Sequence, residues 1–265
     1  MTGLSFGLVG APKTGKTHAC RSLAALPGLK YAFVAPLGEL TAYEGSGIVA
    51  EPYSDDEWRP SERSFKSTGY AKMMAKLKEL ESSKEPLAAV IFDTVNRGPS
   101  ELIWHNVLQA YGTDDPRELG GNSRQPYVTY ASRLTELLER LDLLRYRTGA
   151  HVVMTFHEDV REAEGVGVPR RETEAGKTVL HWDVARLPML RGAMRQDILG
   201  WFDAAFFCEP VLNSNPYRCK FVAFPDSMRA AGTRLPIMAD LQKMKEIPND
   251  VAAIVKMAQA KQKGA

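Results

Sequence analysis

Cysteine is scarce in this chain: Cys20, Cys208 and Cys219 are the only three among 265 residues. An odd, scattered set without metal-ligand spacing excludes a disulfide framework and a zinc motif. It reads as reduced thiols in a reducing compartment. Cys208 and Cys219 lie in neighbouring apolar runs and could approach each other, but no functional disulfide is expected. Charge of one sign is also lacking. The 34 basic residues meet 32 acidic ones, for a net charge of +2, so only a local basic patch would serve a nucleic acid. No apolar run is long enough to cross a bilayer. The N-terminus lacks the basic region and long apolar segment of a signal peptide. The expectation is a cytoplasmic protein with no membrane partner. Internal repeats and low-complexity segments are absent. What remains is ordinary globular composition, 44% hydrophobic and 25% charged. The length suits one large α/β domain, with or without a small appendage.

Against this plain background one segment stands out. Residues Gly10, Ala11, Pro12, Lys13, Thr14, Gly15, Lys16 and Thr17 spell G-x-x-x-x-G-K-T. The apolar run Leu4–Val9 before them reads as a buried strand, and the stretch from His18 to Leu26 after them reads as a helix. Strand, glycine-rich loop and helix in that order make a phosphate-binding loop. Glycines let successive N–H groups turn inward to phosphate oxygens, and the helix start adds its own unpaired N–H groups. Lys16 would reach the β- and γ-phosphates, Thr17 would ligate Mg²⁺, and His18 would follow at the edge of the site. A nucleoside triphosphate is the predicted ligand.

The rest alternates strand and helix. Lys30–Ala35 reads as a second strand, broken by Pro36 and Gly38. Residues Tyr43–Arg63 read as a loop with a short strand at Ile48–Ala50. Met73, Met74, Leu77 and Leu80 mark a helix between Ser67 and Ser83. Leu87–Asp93 is a continuous apolar run ending on an acid, as expected of a strand buried on both faces. Helices follow near Ser100–Ala110 and Tyr127–Arg147. A strand at Ala150–Phe156 then ends at His157. Glu158–Thr178 is charged and reads as a loop, and Leu190–Leu199 as a short helix. Asp203–Glu209 and Tyr217–Phe224 read as paired strands. The predicted fold is α/β, a doubly wound, mainly parallel sheet with late antiparallel strands. Residues 1–240 would form the domain and 241–265 a helical tail.

Asp93, closing a buried strand, is the candidate second Mg²⁺ ligand beside Thr17. Thr94 follows, either to bond phosphate or water or to cap. Hydrolysis also needs a group to orient water and cations to neutralise charge. Glu39, just past the second strand, is the candidate water activator, with Glu44 as its rival. His157 would sense the γ-phosphate or serve as a structural histidine. Lys220, Arg229 and Arg234 are candidates for a cation supplied to a neighbouring subunit.

With Gly10–Thr17, Leu87–Asp93 and Thr155-Phe156-His157 in this order, the chain resembles phage-encoded P-loop ATPases with a RecA-like core. It is most similar to the branch linked to single-strand annealing and recombination. The second strand departs from that pattern, reading Ala35-Pro36-Leu37-Gly38-Glu39 where similar proteins often place an acid at the strand end. The resemblance implies ATP and Mg²⁺ as cofactors, a homo-oligomer with nucleotide near subunit interfaces, and single-stranded DNA as partner. The DNA would meet Arg161, Arg170, Arg171 and Lys177. A single-strand-binding or other replication protein is a further implied partner, and the host cytoplasm the implied location. Other functions open to the same loop are a small-molecule kinase and a nucleotide-switched assembly protein with little turnover.

Overall fold

The computed structural model of the chain describes residues 2–35, 37–55, 67–162, 170–174, 177–181, 184–214, 218–226 and 228–263. In chain order, β1 (Ser5–Gly10) is buried along its whole length and ends on the glycine that opens the phosphate loop. The helix after it is shorter than the sequence suggests: α1 spans Lys16–Arg21 and tightens to a 3₁₀ turn at Ser22–Ala25. The Ser22 hydroxyl donates to the Ala19 carbonyl at 2.6 Å, an alternative to the helical ladder that favours such an ending. Next come β2 (Leu29–Val34), β3 (Val49–Pro52), α2 (Gly69–Glu81) and β4 (Leu87–Asp93). α3 (Pro99–Tyr111) and α4 (Gln125–Thr148) each carry a proline in the first turn and end at a left-handed glycine, Gly112 and Gly149. They are followed by β5 (His151–Glu162), β6 (Arg170–Glu174), β7 (Lys177–His181) and β8 (Val184–Pro188). The chain closes with α5 (Met194–Asp197), β9 (Ala204–Pro210), β10 (Cys219–Val222), β11 (Gly232–Thr233), α6 (Met238–Gln242), β12 (Ile247–Pro248) and α7 (Val251–Lys263).

Two compact units emerge. The first gathers residues 1–4, 26–152 and 190–194. Here β2 lies between β3 and β4, parallel to both, and its last residue pairs with Asp93. Phe33 of β2 stacks on Phe92 of β4 with ring centroids 4.7 Å apart. The stripe Leu134, Leu137, Leu138, Leu141 and Leu144 of α4 is buried, as its helical spacing requires. Tyr130, wholly buried, satisfies its hydroxyl on Ser100 at 2.7 Å. His151 is buried too, and its Nδ1 accepts the Leu4 N–H at 3.0 Å. Burial, reinforced by the nearby Arg145 charge, pushes the His151 pKa down to about 4.

The second unit gathers residues 5–25, 153–189 and 195–265. β1 runs parallel to β9, from Phe6 opposite Ala204 to Val9 opposite Phe207. β10 and β11 pair antiparallel with β9, and β12 antiparallel with β10. The late antiparallel strands of the sequence reading are therefore present. In the segment read as a tail, β12 joins the sheet, and α7 buries Val251, Ile254 and Val255. The Ala252 N–H donates to the Ser22 hydroxyl at 3.0 Å, joining α7 to the turn after α1. Cys208 and Cys219 sit on adjacent strands, in register with Phe221 and Pro210 rather than with each other.

One segment differs plainly from its sequence reading. The strand at Ala150–Phe156 does not end at His157 but continues through Glu162, paired antiparallel with β8 from Glu158–Pro188 to Glu162–Val184. The charged stretch after His157 is accordingly strand, followed by the β6–β7 hairpin, rather than one long loop. An antiparallel strand tolerates a solvated face, so loss of apolar character does not terminate it as it would a buried parallel strand. Among the described residues no helix is long and apolar enough to cross a membrane.

Candidate functional site

The phosphate loop takes its shape from backbone demands. Lys13 and Gly15 both adopt left-handed conformations, with φ of 66° and 85°. This curls the backbone between β1 and α1, the conformation from which concave N–H nests are built. Gly15 is required twice over. A Cβ there would lie 2.5 Å from Asn249 Nδ2 and 2.9 Å from Cys219 Sγ. A Cβ on Gly10 would meet Thr14 Oγ1 at 2.6 Å and the Cys208 carbonyl at 2.8 Å. Thr14 closes the loop internally, its hydroxyl donating to the Ala11 carbonyl at 2.8 Å. Lys16 is buried, and its ammonium donates to the Gly10 and Ala11 carbonyls at 2.8 and 2.7 Å. Its side chain thus runs back across the loop. Pro12, Lys13 and His18 are exposed, and Thr17 is half-buried.

Beside this loop, within the same unit, lies a cavity of about 590 Å³ lined by Gly15, His18, Arg218, Cys219, Lys220 and Asn249, among others. That volume is in the range of pockets that take small organic ligands. Asn249 is buried and anchors the loop, its Nδ2 donating to the Gly15 carbonyl at 2.8 Å. Its Oδ1 is buried and has no hydrogen-bond partner among the described residues. The sequence reading missed Asn249 and Cys219. No spacing connects them to Gly15, which they reach only because β10 and β12 pair at the sheet edge.

In the other unit, Asp93 ends β4 and is buried. Its Oδ2 accepts the Tyr43 hydroxyl at 2.8 Å. Thr94, also buried, donates its hydroxyl to Asn96 Oδ1 at 2.8 Å, a local turn contact. Glu39 is half-buried on a 3₁₀ segment, Leu37–Tyr43, that directly follows β2. Glu44, its rival, lies just past that segment's end. Tyr43 was also missed by the sequence reading. The only signal was an aromatic ring amid Gly, Glu and Ser, which hints at burial but names no partner.

His157 lies inside β5, where its carbonyl accepts the Met189 N–H at 2.8 Å, and its side chain is half-buried. Of the candidate cations, Arg229 is buried and ion-paired with Asp226 and Glu209 of its own chain. Arg186 extends that network, meeting Glu209 at 2.9 Å and Glu158 at 3.2 Å. Arg234 donates to the Gly200 and Phe202 carbonyls at 3.1 and 2.8 Å. Lys220 faces Glu209 across the β9–β10 ladder and lines the cavity beside Gly15. Arg161 has its backbone in β5, Arg170 and Arg171 in β6; the side chains of these three lie outside the described residues. Lys177 opens β7 and is exposed.

A parallel α/β core with a glycine-shaped, lysine-bearing loop between its first strand and first helix defines a P-loop nucleoside triphosphatase. The chain belongs to the AAA domain family, whose model matches residues 2–210. It carries an AAA-type ATPase domain, built to bind and hydrolyse nucleotide. No curated protein sequence matches it significantly. Among solved structures it is similar to a prototypical ATPase from the type III secretion system of pathogenic bacteria, with 13% identity and a TM-score of 0.46. That likeness covers 90% of this chain and 59% of the other, so the chain spans about three-fifths of that ATPase's length.

Proposed function

We propose that the chain is a Mg²⁺-dependent ATPase acting on single-stranded DNA in recombination, annealing or replication. The observation that carries the nucleotide chemistry is the folded phosphate loop with Lys16 buried across it. The triphosphate would lie in the loop, and the nucleoside would occupy the adjoining cavity beside His18 and Asn249. Binding would exchange the loop carbonyls on Lys16 for phosphate oxygens.

Mg²⁺ fits the donors the chain offers. Thr17 and Asp93 are the hard oxygen donors that would serve it. Among the described residues no group of three or more His, Cys, Asp or Glu side chains could hold a metal on its own. Few protein ligands, with phosphates and water completing the shell, is the habit of Mg²⁺. When bound, the ion would neutralise charge on the β- and γ-oxygens. Glu39 would orient the attacking water, and Lys16 would hold the transferred phosphoryl group as its charge develops.

The DNA reading is supported by the family resemblance of the sequence and by the β6–β7 strand pair, whose backbone register sets Arg170 opposite His181, Arg171 opposite Leu180 and Glu174 opposite Lys177. The test is steady-state ATP hydrolysis with and without single-stranded DNA, at low and moderate salt, with Lys16→Ala as blank. Stimulation that fades with salt is expected. Hydrolysis indifferent to DNA, with no binding at low salt, overturns the DNA assignment.

A second reading, a nucleotide-switched homo-oligomer with little turnover, is favoured by two exposed apolar side chains, Val160 on β5 and Met189 just past β8. Sedimentation with and without ATP checks it: it requires a change of assembly state alongside negligible hydrolysis.

A further inference from the structure

We infer that Tyr43 is a positioning residue that joins the water-activating segment to the metal-binding carboxylate. This rests on the ATPase reading above and on Asp93 as the Mg²⁺ ligand. The segment from Ala35 to Tyr43 begins and ends on Asp93. At its start the β2–β4 ladder extends past both strands: the Ala35 N–H donates to the Asp93 carbonyl at 2.9 Å, and the Thr94 N–H to the Ala35 carbonyl at 3.1 Å. At its end the Tyr43 hydroxyl donates to the Asp93 carboxylate at 2.8 Å, with both residues buried. Glu39 sits between these two anchors, four residues before Tyr43 on the same 3₁₀ segment.

Tyr43 is itself held from behind. The Ser46 hydroxyl and N–H donate to the Tyr43 carbonyl at 2.6 and 3.1 Å, and the Ile48 N–H donates back to the Ser46 hydroxyl at 3.2 Å. Gly45 and Gly47, at φ of 67° and 76°, give this turn its left-handed steps. It leads straight into β3, which is locked on β2. The phenol is therefore a fixed donor, and a fixed donor selects one orientation of the carboxylate it meets. A hydrogen bond to a charged, buried acceptor is among the stronger ones available, because neither group has water to fall back on. Consequently the carboxylate that binds the metal and the loop that carries Glu39 form one mechanical unit. Displacement of either is felt by the other.

The experiment is a double-mutant cycle on the full chain with Tyr43→Phe and Asp93→Asn. Mn²⁺ affinity is read by electron paramagnetic resonance in the presence of a non-hydrolysable ATP analogue, and kcat and KM for ATP are read with Mg²⁺. Tyr43→Phe keeps the buried ring, and circular dichroism checks that the fold persists. Expected are a loss of Mn²⁺ affinity and of kcat of about tenfold each, with KM little changed. In the Asp93→Asn background, Tyr43→Phe should add little to either quantity, because its partner is already altered. Mn²⁺ affinity and kcat within about twofold of wild type in Tyr43→Phe overturn the proposal, as do purely additive effects in the double mutant. Should Asp93→Asn alone leave Mn²⁺ affinity intact, the metal assignment itself fails, and the proposal falls with it by a route the other variants distinguish.

Discussion

Two segments of this chain follow buried parallel strands and lead into helical turns, yet they are held by different means. The loop Gly10–Thr17 after β1 is shaped by backbone conformation: left-handed residues at Lys13 and Gly15, and no room for a side chain at Gly10 or Gly15. The segment Ala35–Tyr43 after β2 is shaped by a side-chain tether, the Tyr43 hydroxyl on the Asp93 carboxylate. A requirement on the backbone selects glycine and leaves a local signature. A tether between residues fifty positions apart selects only a donor and an acceptor, and leaves none.

The largest expected effect sharpens the first half of this comparison. Lys16→Ala should weaken ATP binding by on the order of a thousandfold, since several charge-assisted hydrogen bonds to phosphate are lost together. Isothermal titration against ATP measures it. Next comes a control on the fold that lies in neither loop. His151 is held neutral, with its pKa lowered to about 4 against an ordinary value of 6.5. Its folded-state pKa is depressed, so the unfolded chain binds the extra proton first. Stability is then full above pH 6.5 and declines as pH falls toward 4, by about 3 kcal/mol. Urea denaturation across that range should show the slope. His151→Asn, which retains an acceptor for the Leu4 N–H, should flatten it.

Breaking the backbone side comes third. Gly15→Ala forces a side chain into a left-handed residue and against Asn249 and Cys219. It should cost about 2 kcal/mol of stability in thermal or urea unfolding, with ATP affinity reduced as well. The smallest effect belongs to the contact behind the loop. Asn249→Ala removes the hydrogen bond to the Gly15 carbonyl and should cost about 1 kcal/mol in the same unfolding measurement. If Asn249→Ala proved more damaging than Gly15→Ala, side-chain support rather than backbone geometry would be what shapes the phosphate loop, and the contrast with the β2 segment would collapse.

The same contrast explains what the sequence made legible. β4 was readable to the residue, because a strand buried on both faces is an unbroken apolar run. The α4 stripe was likewise periodic and local. β5 was not readable past His157, because its continuation pairs antiparallel with β8 and carries a polar composition compatible with a loop. Glu39 draws attention by its position after β2, whereas Tyr43 does not, because the partner of its hydroxyl, Asp93, lies fifty residues away. In the sequence Arg229 is a candidate cation for a neighbouring subunit. Asp226 and Glu209, which engage its charge, approach it only through the turn after β10 and the end of β9. Local backbone rules write themselves into short motifs, whereas long-range pairing of side chains does not.

The most direct test separates nucleotide binding from turnover in one experiment: ATP affinity and steady-state ATP hydrolysis, measured side by side for the wild-type chain and Asp93→Asn. The account predicts measurable wild-type hydrolysis, ATP affinity within a few-fold in the variant, and turnover reduced about a hundredfold, since a metal carboxylate acts mainly on developing charge. Wild-type turnover rates in Asp93→Asn, or no hydrolysis by the wild-type chain under any condition, would contradict it.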